Sequence, residues 1–158
     1  MSDPNHLKEL INSIKDAPVL VIGDIMLDKF IYGNVERISP ESPVPVLSIK
    51  REDQMLGGAG NALANLSGLN AAPHIISVIG EDEAGEALKS QLTTLGIDKD
   101  NLVSEQNRPT TVKTRYLAGH QQLLRSDYEH KTPISEVTKA AILDKAKALI
   151  PDIKAIII

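Results

Sequence analysis

Leu56-Gly57-Gly58-Ala59-Gly60-Asn61-Ala62-Leu63-Ala64-Asn65-Leu66 places three glycines within four positions, directly before an apolar run that favours a helix. Glycine reaches positive φ and lets a ligand approach the main chain. A helix that begins here directs free N–H groups and the positive end of its dipole into the turn, which suits hydroxyl or phosphate oxygens. Asn61 adds a side chain that both donates and accepts hydrogen bonds. We interpret the stretch as the floor of a small-molecule site; the same residues also fit a tight strand-to-helix turn without a ligand.

The sequence on either side of this turn predicts a layered α/β domain. Short apolar runs typical of buried parallel strands occur at 19–22, 74–79, 102–103 and 154–158. Helical patterns separate them at 63–69, 84–92 and 137–150, and a first helix capped by Ser2 or Asp3 precedes them. This order is typical of right-handed crossovers. In the last helix we expect these residues to point mostly inward: Val137, Ala140, Ala141, Leu143, Ala146, Leu149 and Ile150.

Two excursions rich in β-forming and polar residues interrupt the layered pattern. The first, at about 29–56, carries Pro40, Pro43 and Pro45, which exclude a helix and discourage a central strand. We therefore predict edge strands of a small accessory sheet for it. The second, at about 108–129, alternates in polarity and predicts a hairpin that joins the same sheet.

Several charged residues are candidates for binding a ligand. Asp24 and Asp28 follow the first strand, at the edge of the sheet where open α/β folds bind ligands. Asp24 also fits a turn or capping position, and Asp28 fits an ordinary surface position equally well. Lys113, Arg115 and Arg125 could anchor an acidic ligand, although solvation at the surface would explain each of them as well.

The composition excludes several classes of function. A formal charge of −4 with well-mixed signs argues against nucleic acid as a partner. The absence of cysteine excludes disulfides and thiolate chemistry and fits a reducing compartment. The sequence has neither an apolar run of membrane-spanning length nor a signal-peptide core, so we expect a cytoplasmic protein without membrane contact. The four histidines show no metal-ligand spacing, and we expect no metal site in this chain.

Three motifs together resemble the ribokinase-like (PfkB) carbohydrate kinases: Gly23-Asp24 with Asp28, the Arg-Ile-Ser-Pro-Glu-Ser-Pro-Val-Pro-Val stretch at 37–46, and the glycine turn at 57–61. The resemblance runs from about Val19 to Ile158. It implies a truncated ribokinase-like α/β/α domain with a small β-sheet lid, residues 1–158 being the N-terminal part of one kinase domain. Within the family, residues 39–45 and 121–125 are most similar to the kinase domain that phosphorylates D-glycero-D-manno-heptose 7-phosphate at C1 in lipopolysaccharide core synthesis.

The resemblance also implies roles for individual residues. Sugar hydroxyls would be held by Asp28, Gly57, Gly58 and Asn61. The two excursions would form a lid that covers the sugar and pairs with a second lid in a homodimer, and Lys113, Arg115 and Gln121 would face the site from it. Two positions depart from the family pattern: Leu63 stands where a small residue is usual, and Asn70 where glycine is usual.

The family's late Gly-Ala-Gly-Asp motif, which carries the catalytic aspartate, and the surrounding nucleotide-binding region are absent from this sequence. We therefore expect an ATP- and Mg²⁺-dependent sugar kinase as the full protein, with this chain alone inactive. The alternatives are another PfkB kinase of the ribokinase, fructokinase or nucleoside type, or a non-catalytic sugar-binding or dimerisation module. A nicotinamide-dependent oxidoreductase would need the glycine motif immediately after the first strand.

The apolar run at 154–158 ends the chain. A buried strand with an unpaired edge is an unfavourable terminus, so we expect the chain to be part of a larger protein.

Overall fold

The computed structural model describes residues 4–158, which form two four-stranded sheets and four α-helices. The helices are α1 Pro4–Ser13, α2 Ala59–Gly68, α3 Glu83–Thr94 and α4 Glu136–Leu149, and a 3₁₀ turn, Ile150–Asp152, follows α4. The strands are β1 Pro18–Ile22, β2 Ile25–Ile38, β3 Pro45–Gly58, β4 Ala72–Ile79, β5 Leu102–Ser104, β6 Val112–Ala118, β7 Gln121–Tyr128 and β8 Ala155–Ile157. Ser2 and Asp3, the predicted cap of the first helix, lie outside the described residues.

The central sheet has the strand order β5-β4-β1-β8, and all its pairings are parallel. Successive residues of a strand point to opposite faces. Val21 packs with Leu63 of α2 and Leu88 of α3, whereas the preceding residue, Leu20, packs with Ala146 of α4. Helices therefore cover both faces, which confirms the predicted α/β/α layering and explains why β1 is apolar throughout.

The second sheet, called here the accessory sheet, has the order β3-β2-β6-β7. β2 is antiparallel to β3 and parallel to β6, and β6 and β7 form the predicted hairpin. Leu27 of β2 and Leu56 of β3 are buried in the same core cluster as the central sheet, with Val112 of β6 packed against it. One end of the accessory sheet is therefore part of the main core.

The prediction of edge strands for the first excursion is wrong for β2, which lies between β3 and β6. The three prolines do not interrupt it. Pro40 and Pro43 lie in the connection at 39–44, and Pro45 is the first residue of β3. Proline is tolerated at those positions because no ladder hydrogen bond of a central strand is lost.

The predicted inward face of α4 is also partly wrong. Val137, Leu143 and Ile150 are 81%, 57% and 46% exposed. Ala140 is exposed too, whereas Ala146 and Leu149 face inward as predicted, together with Thr138 and Ile142. The sequence pattern failed because Thr138, a polar residue, occupies an inward position and satisfies its hydroxyl by hydrogen bonding.

The two departures from the family pattern have clear structural roles. Leu63 is fully buried in the core between α2 and the central sheet, so its bulk fills space there. Asn70 follows α2 with φ 59°, the left-handed conformation that asparagine tolerates better than most residues. The turn after α2 therefore keeps the usual geometry without glycine.

Asp82 caps α3 and also holds the start of the second excursion. Its Oδ1 accepts the Gly85 N–H at 2.8 Å, and its Oδ2 accepts the Thr110 N–H at 2.8 Å. Thr110 Oγ1 in turn accepts the Gly80 N–H at 2.9 Å. Burial alone would raise the pKa of Asp82, but the hydrogen bonds from Thr110 and Gly85 outweigh it and hold the pKa below its ordinary value.

Glu105 and Arg108 tie together the two ends of the same excursion. Glu105 Oε1 accepts the Ser135 N–H at 2.6 Å and the Thr138 hydroxyl at 3.1 Å, while its Oε2 accepts from Arg108 Nε. Arg108 also donates to the His130 carbonyl at 2.9 Å and to the carbonyl at position 132. These bonds join the chain before β6, the chain after β7 and the start of α4.

This arrangement lowers the pKa of Glu105 from 4.5 to about 2. The Ser135 N–H is the main cause, and Arg108 and the hydroxyls of Ser135 and Thr138 add to it, against an opposing contribution from burial. A carboxyl with a depressed pKa stabilises the folded state above its unfolded pKa and loses that contribution as pH falls.

We therefore expect Glu105→Gln to destabilise the protein most above about pH 5. The difference from wild type in free energy of unfolding should shrink as pH falls from 5 towards 2. Urea unfolding at pH 6, 4 and 3 measures it. Glu36→Gln, at an exposed position of β2, is the matched control and should show a small, constant difference. A difference at Glu105 that does not change with pH would contradict the interpretation.

Candidate functional site

The glycine turn joins β3 to α2. Gly58 has φ 57°, and a Cβ there would collide with the carbonyl oxygen of Asp24. The same carbonyl accepts the Ala59 N–H at 2.9 Å. Asp24 thus serves the turn through its backbone. No side chain within residues 4–158 caps α2, and the Asp24 carbonyl takes the first N–H of the helix, that of Ala59.

Gly57 creates the space that the Asp28 carboxylate fills. A Cβ on Gly57 would lie 2.6 Å from Asp28 Oδ2 and 2.8 Å from its Cγ. Asp28 Oδ1 accepts a hydrogen bond from Arg115 Nη1 at 2.6 Å. The side chains of Asp28 and Arg115 are only 17% and 23% exposed, so this ion pair is largely shielded from solvent.

Lys113 belongs to the same face of the accessory sheet. Asp28 pairs with Lys113 across β2 and β6, and Phe30 pairs with Arg115 two positions further along. Paired positions on neighbouring strands present side chains to the same face. Among the described residues Lys113 forms no ion pair, although it lies between Asp28 of β2 and its other strand partner, Asp127 of β7.

Asn61 lies on the first turn of α2 and lines a pocket of about 320 Å³. The lining residues are Met55, Leu56, Asn61, Ala64, Gln91, Thr94 and Leu95. Met55 is the strand partner of Asp28, but Asp28 itself does not line this pocket. Asn61 therefore follows the glycine turn closely along the chain, but the pocket that it lines does not include the Asp28 carboxylate.

Gln121 is not beside Asp28. It pairs with Ala118 at the turn of the hairpin, and Ala118 pairs with Gly33. Gly33 is five residues from Asp28 along β2, roughly 17 Å at the rise of an extended strand. Arg125 is the strand partner of Arg115, but its Nε and Nη2 donate to Asp127 at 2.8 and 3.0 Å.

The aromatic residues of β2 were not among the predicted site residues. Arg115 Cζ lies 5.1 Å from the centre of the Phe30 ring, and the Phe30 and Tyr32 rings stack at 6.3 Å. Arg51 Cζ lies 4.3 Å from the Tyr32 ring. The alternation of Asp28, Phe30 and Tyr32 in one strand is the sequence signal that could have identified this shared face.

The arrangement can bind a polar ligand through three kinds of group. A shielded carboxylate accepts hydrogen bonds from hydroxyls, uncapped helix amides donate to oxygens, and the cations of β6 attract an anion. Within residues 4–158 no group of three or more histidine, aspartate or glutamate side chains could hold a metal ion. None of the helices in that range is both long and apolar enough to cross a membrane.

The two sheets and the glycine turn from β3 into α2 occur in a fold of the ribokinase-like class. A putative sugar kinase from Clostridium perfringens matches with a TM-score of 0.67 at 14% identity, over 91% of this chain and 44% of that one. Arabidopsis thaliana ribokinase complexed with ribose and ATP matches with a TM-score of 0.56 at 20% identity, over 79% of this chain and 42% of that one.

Residues 16–155 match the pfkB family carbohydrate kinases, and the chain belongs to this family. It is similar to the bifunctional protein HldE of Paramagnetospirillum magneticum, with 45% identity over 96% of this chain and 31% of that protein. The HldE of Acidiphilium cryptum is 47% identical over 85% of this chain and 28% of that protein. The chain spans less than a third of the length of these curated relatives.

We expect Gly57→Ala to lower the free energy of unfolding by about 1–3 kcal/mol, because the added methyl group must displace the Asp28 carboxylate. Gly68→Ala is the matched control, since a Cβ there meets no heavy atom within 4 Å. It should leave stability unchanged or raise it by up to about 1 kcal/mol. Urea denaturation of both variants measures the difference, and equal effects would show that the contact with Asp28 is unimportant.

Proposed function

We propose that this chain is the substrate-binding part of an ATP-dependent sugar kinase that phosphorylates D-glycero-D-manno-heptose 7-phosphate at C1 in lipopolysaccharide core synthesis. The observation that carries the proposal is the Asp28 carboxylate, fitted against Gly57 and shielded from solvent beside two cations. Membership of the carbohydrate kinase family and the similarity to HldE support the reaction class.

In the proposed site, Asp28 accepts hydrogen bonds from sugar hydroxyls while Gly57 and Gly58 let the sugar approach the backbone. Asn61, on the first turn of α2, lines a pocket that does not include Asp28, so its proposed contact requires a sugar that reaches from Asp28 into that pocket. Low exposure favours these contacts, because a hydrogen bond to a charged group is stronger where water competes less.

The phosphate of the substrate is proposed to bind the accessory sheet, which then acts as a lid. Lys113 and Arg115 lie beside Asp28 and carry the charge that a phosphate requires. Gln121 lies at the turn of the hairpin, so its proposed contact with substrate requires the hairpin to bend towards the site.

ATP and Mg²⁺ are proposed to bind the full protein. Residues 4–158 contain no group of three or more carboxylate or histidine side chains that could hold a divalent cation, so we assign no Mg²⁺ ligand to them. Phosphoryl transfer requires positioning, charge stabilisation and a base near the attacking hydroxyl. We propose that these groups come from another part of a cytoplasmic enzyme that forms a homodimer through its lid.

One alternative is a module that binds sugar or forms dimers but does not catalyse phosphoryl transfer. Every residue of β7 is exposed, and β7 forms an edge of the accessory sheet, which favours a sugar-binding or dimerisation module. Another sugar or nucleoside kinase of the same family is the second alternative. A nicotinamide-dependent oxidoreductase is disfavoured, because β2 and β3 separate the glycine turn from β1.

We expect Asp28→Asn in the full-length protein to lower kcat/KM for heptose 7-phosphate roughly ten- to hundredfold, as for the loss of a charged hydrogen-bond acceptor. Asp53→Asn is the matched control, because Asp53 also belongs to the accessory sheet but is paired with Arg51, and its side chain is 41% exposed. A coupled assay of ADP release measures both. Equal activity of the two variants would contradict the role of Asp28.

We expect the 158-residue chain alone to release no ADP from ATP with heptose 7-phosphate in the same assay, whereas the full-length protein should release ADP. Calorimetry with the sugar phosphate separates a chain that binds without catalysis from one that does not bind. Turnover by the chain alone would contradict the assignment of catalysis to another part of the protein.

A further inference from the structure

Both oxygens of Asp28 are already in close contact in the structure. Oδ1 accepts from Arg115 at 2.6 Å, and Oδ2 lies against the Gly57 backbone, where no side chain could fit. A sugar hydroxyl that approaches Oδ1 must therefore share that oxygen with the guanidinium of Arg115, which uses one of its two lone pairs. An ion pair shielded from solvent is costly to break unless each partner finds a replacement.

The surroundings of Arg115 offer such replacements. Its guanidinium carries five N–H donors, of which one hydrogen bond to Asp28 uses one. The Phe30 ring lies 5.1 Å from its Cζ and interacts with the cation whether or not the carboxylate is bound. An arginine on an aromatic surface with free donors suits bidentate recognition of a phosphate.

Asp28 also keeps a positive neighbour if Arg115 moves away. Lys113 is its strand partner on β6 and forms no ion pair within residues 4–158. The carboxylate would therefore not be left as an uncompensated charge, which is the main cost of breaking a shielded pair. The other strand partner of Lys113, Asp127 of β7, is itself bonded to Arg125, so Lys113 can compensate Asp28 without breaking an ion pair.

We infer that Arg115 determines specificity for phosphorylated sugars by exchange: the phosphate of the ligand takes Arg115 from Asp28, and the released carboxylate oxygen then binds a sugar hydroxyl. A neutral sugar cannot draw Arg115 away, so it meets an Asp28 carboxylate whose Oδ1 still accepts a hydrogen bond from Arg115. This inference rests on the proposed function and assigns the discrimination to Arg115, with Lys113 as the residue that balances the charge of Asp28.

Arg51 provides a matched control within the same sheet. Its Cζ also stacks on an aromatic ring, that of Tyr32 at 4.3 Å, and its guanidinium also pairs with a carboxylate, that of Asp53 at 3.1 Å. It lies on β3, however, and its side chain is 62% exposed. Arg51 thus repeats the chemistry of Arg115 away from Asp28.

The test compares binding of D-glycero-D-manno-heptose 7-phosphate and of the unphosphorylated heptose to the full-length protein by calorimetry. We expect Arg115→Met to weaken binding of the phosphorylated sugar roughly ten- to hundredfold, as for the loss of a charged hydrogen bond. The same variant should bind the unphosphorylated sugar as well as wild type or better, because Asp28 is released. Arg51→Met should leave both affinities within about twofold.

The opposite signs for the two sugars distinguish exchange from a structural role. If Arg115→Met weakens the binding of both sugars equally, or does not weaken the binding of the phosphorylated sugar, the inference is overturned. The proposed function is unaffected by either result. Failure of the wild-type protein to bind either sugar overturns both. If Arg115→Met does not fold, Arg115→Lys keeps the charge without the planar fork, and it should weaken only the phosphorylated sugar; any other pattern overturns the exchange.

Discussion

The contact between the Gly57 backbone and the Asp28 carboxylate is the constraint on which the candidate site depends. Because Gly57 has no Cβ, β2 and β3 can pair with each other while the Asp28 carboxylate lies against the backbone of Gly57. That carboxylate then fixes the guanidinium of Arg115 on the neighbouring strand, and Phe30 supports it from the other side. The arrangement of Asp28, Arg115 and Phe30 therefore depends on the absence of a Cβ at Gly57. The following residue, Gly58, turns the chain into α2.

The accessory sheet is joined to the central sheet by apolar packing at one end and by polar bonds at the other connections. Leu27 and Leu56 bring the strands into the main core. Asp82 holds the segment that enters β6, and the pair of Glu105 and Arg108 holds the segment that leaves β7. The end of the sheet near Asp28 is therefore attached to the main core, whereas a Cβ at Gly119, in the far turn of the hairpin, would meet no heavy atom within 4 Å.

Local sequence patterns predicted the helices and strands, whereas the candidate site is formed by strand pairing between distant parts of the chain. The apolar runs of the central strands and the turn after Gly57 follow from periodicity and helix-end chemistry within a few residues. The interior position of β2 depends on its pairing with β6, which no local pattern contains. The bond between Asp28 and Arg115 depends on the same pairing. Thr138 misled the prediction for α4, because a buried hydroxyl looks like a surface residue until Glu105 is placed beside it.

The parallel pairing of β2 with β6 has a consequence for how the chain folds. It joins positions about 85 residues apart, such as Asp28 and Lys113, whereas β2 and β3 are connected through a short loop. Closing a long loop costs entropy before its contacts form, so the β2–β3 ribbon can assemble early during synthesis while its second partner arrives late. Until β6 emerges and docks, the long inner edge of β2 is exposed, and this interval is the period when the nascent protein is most open to erroneous strand pairing.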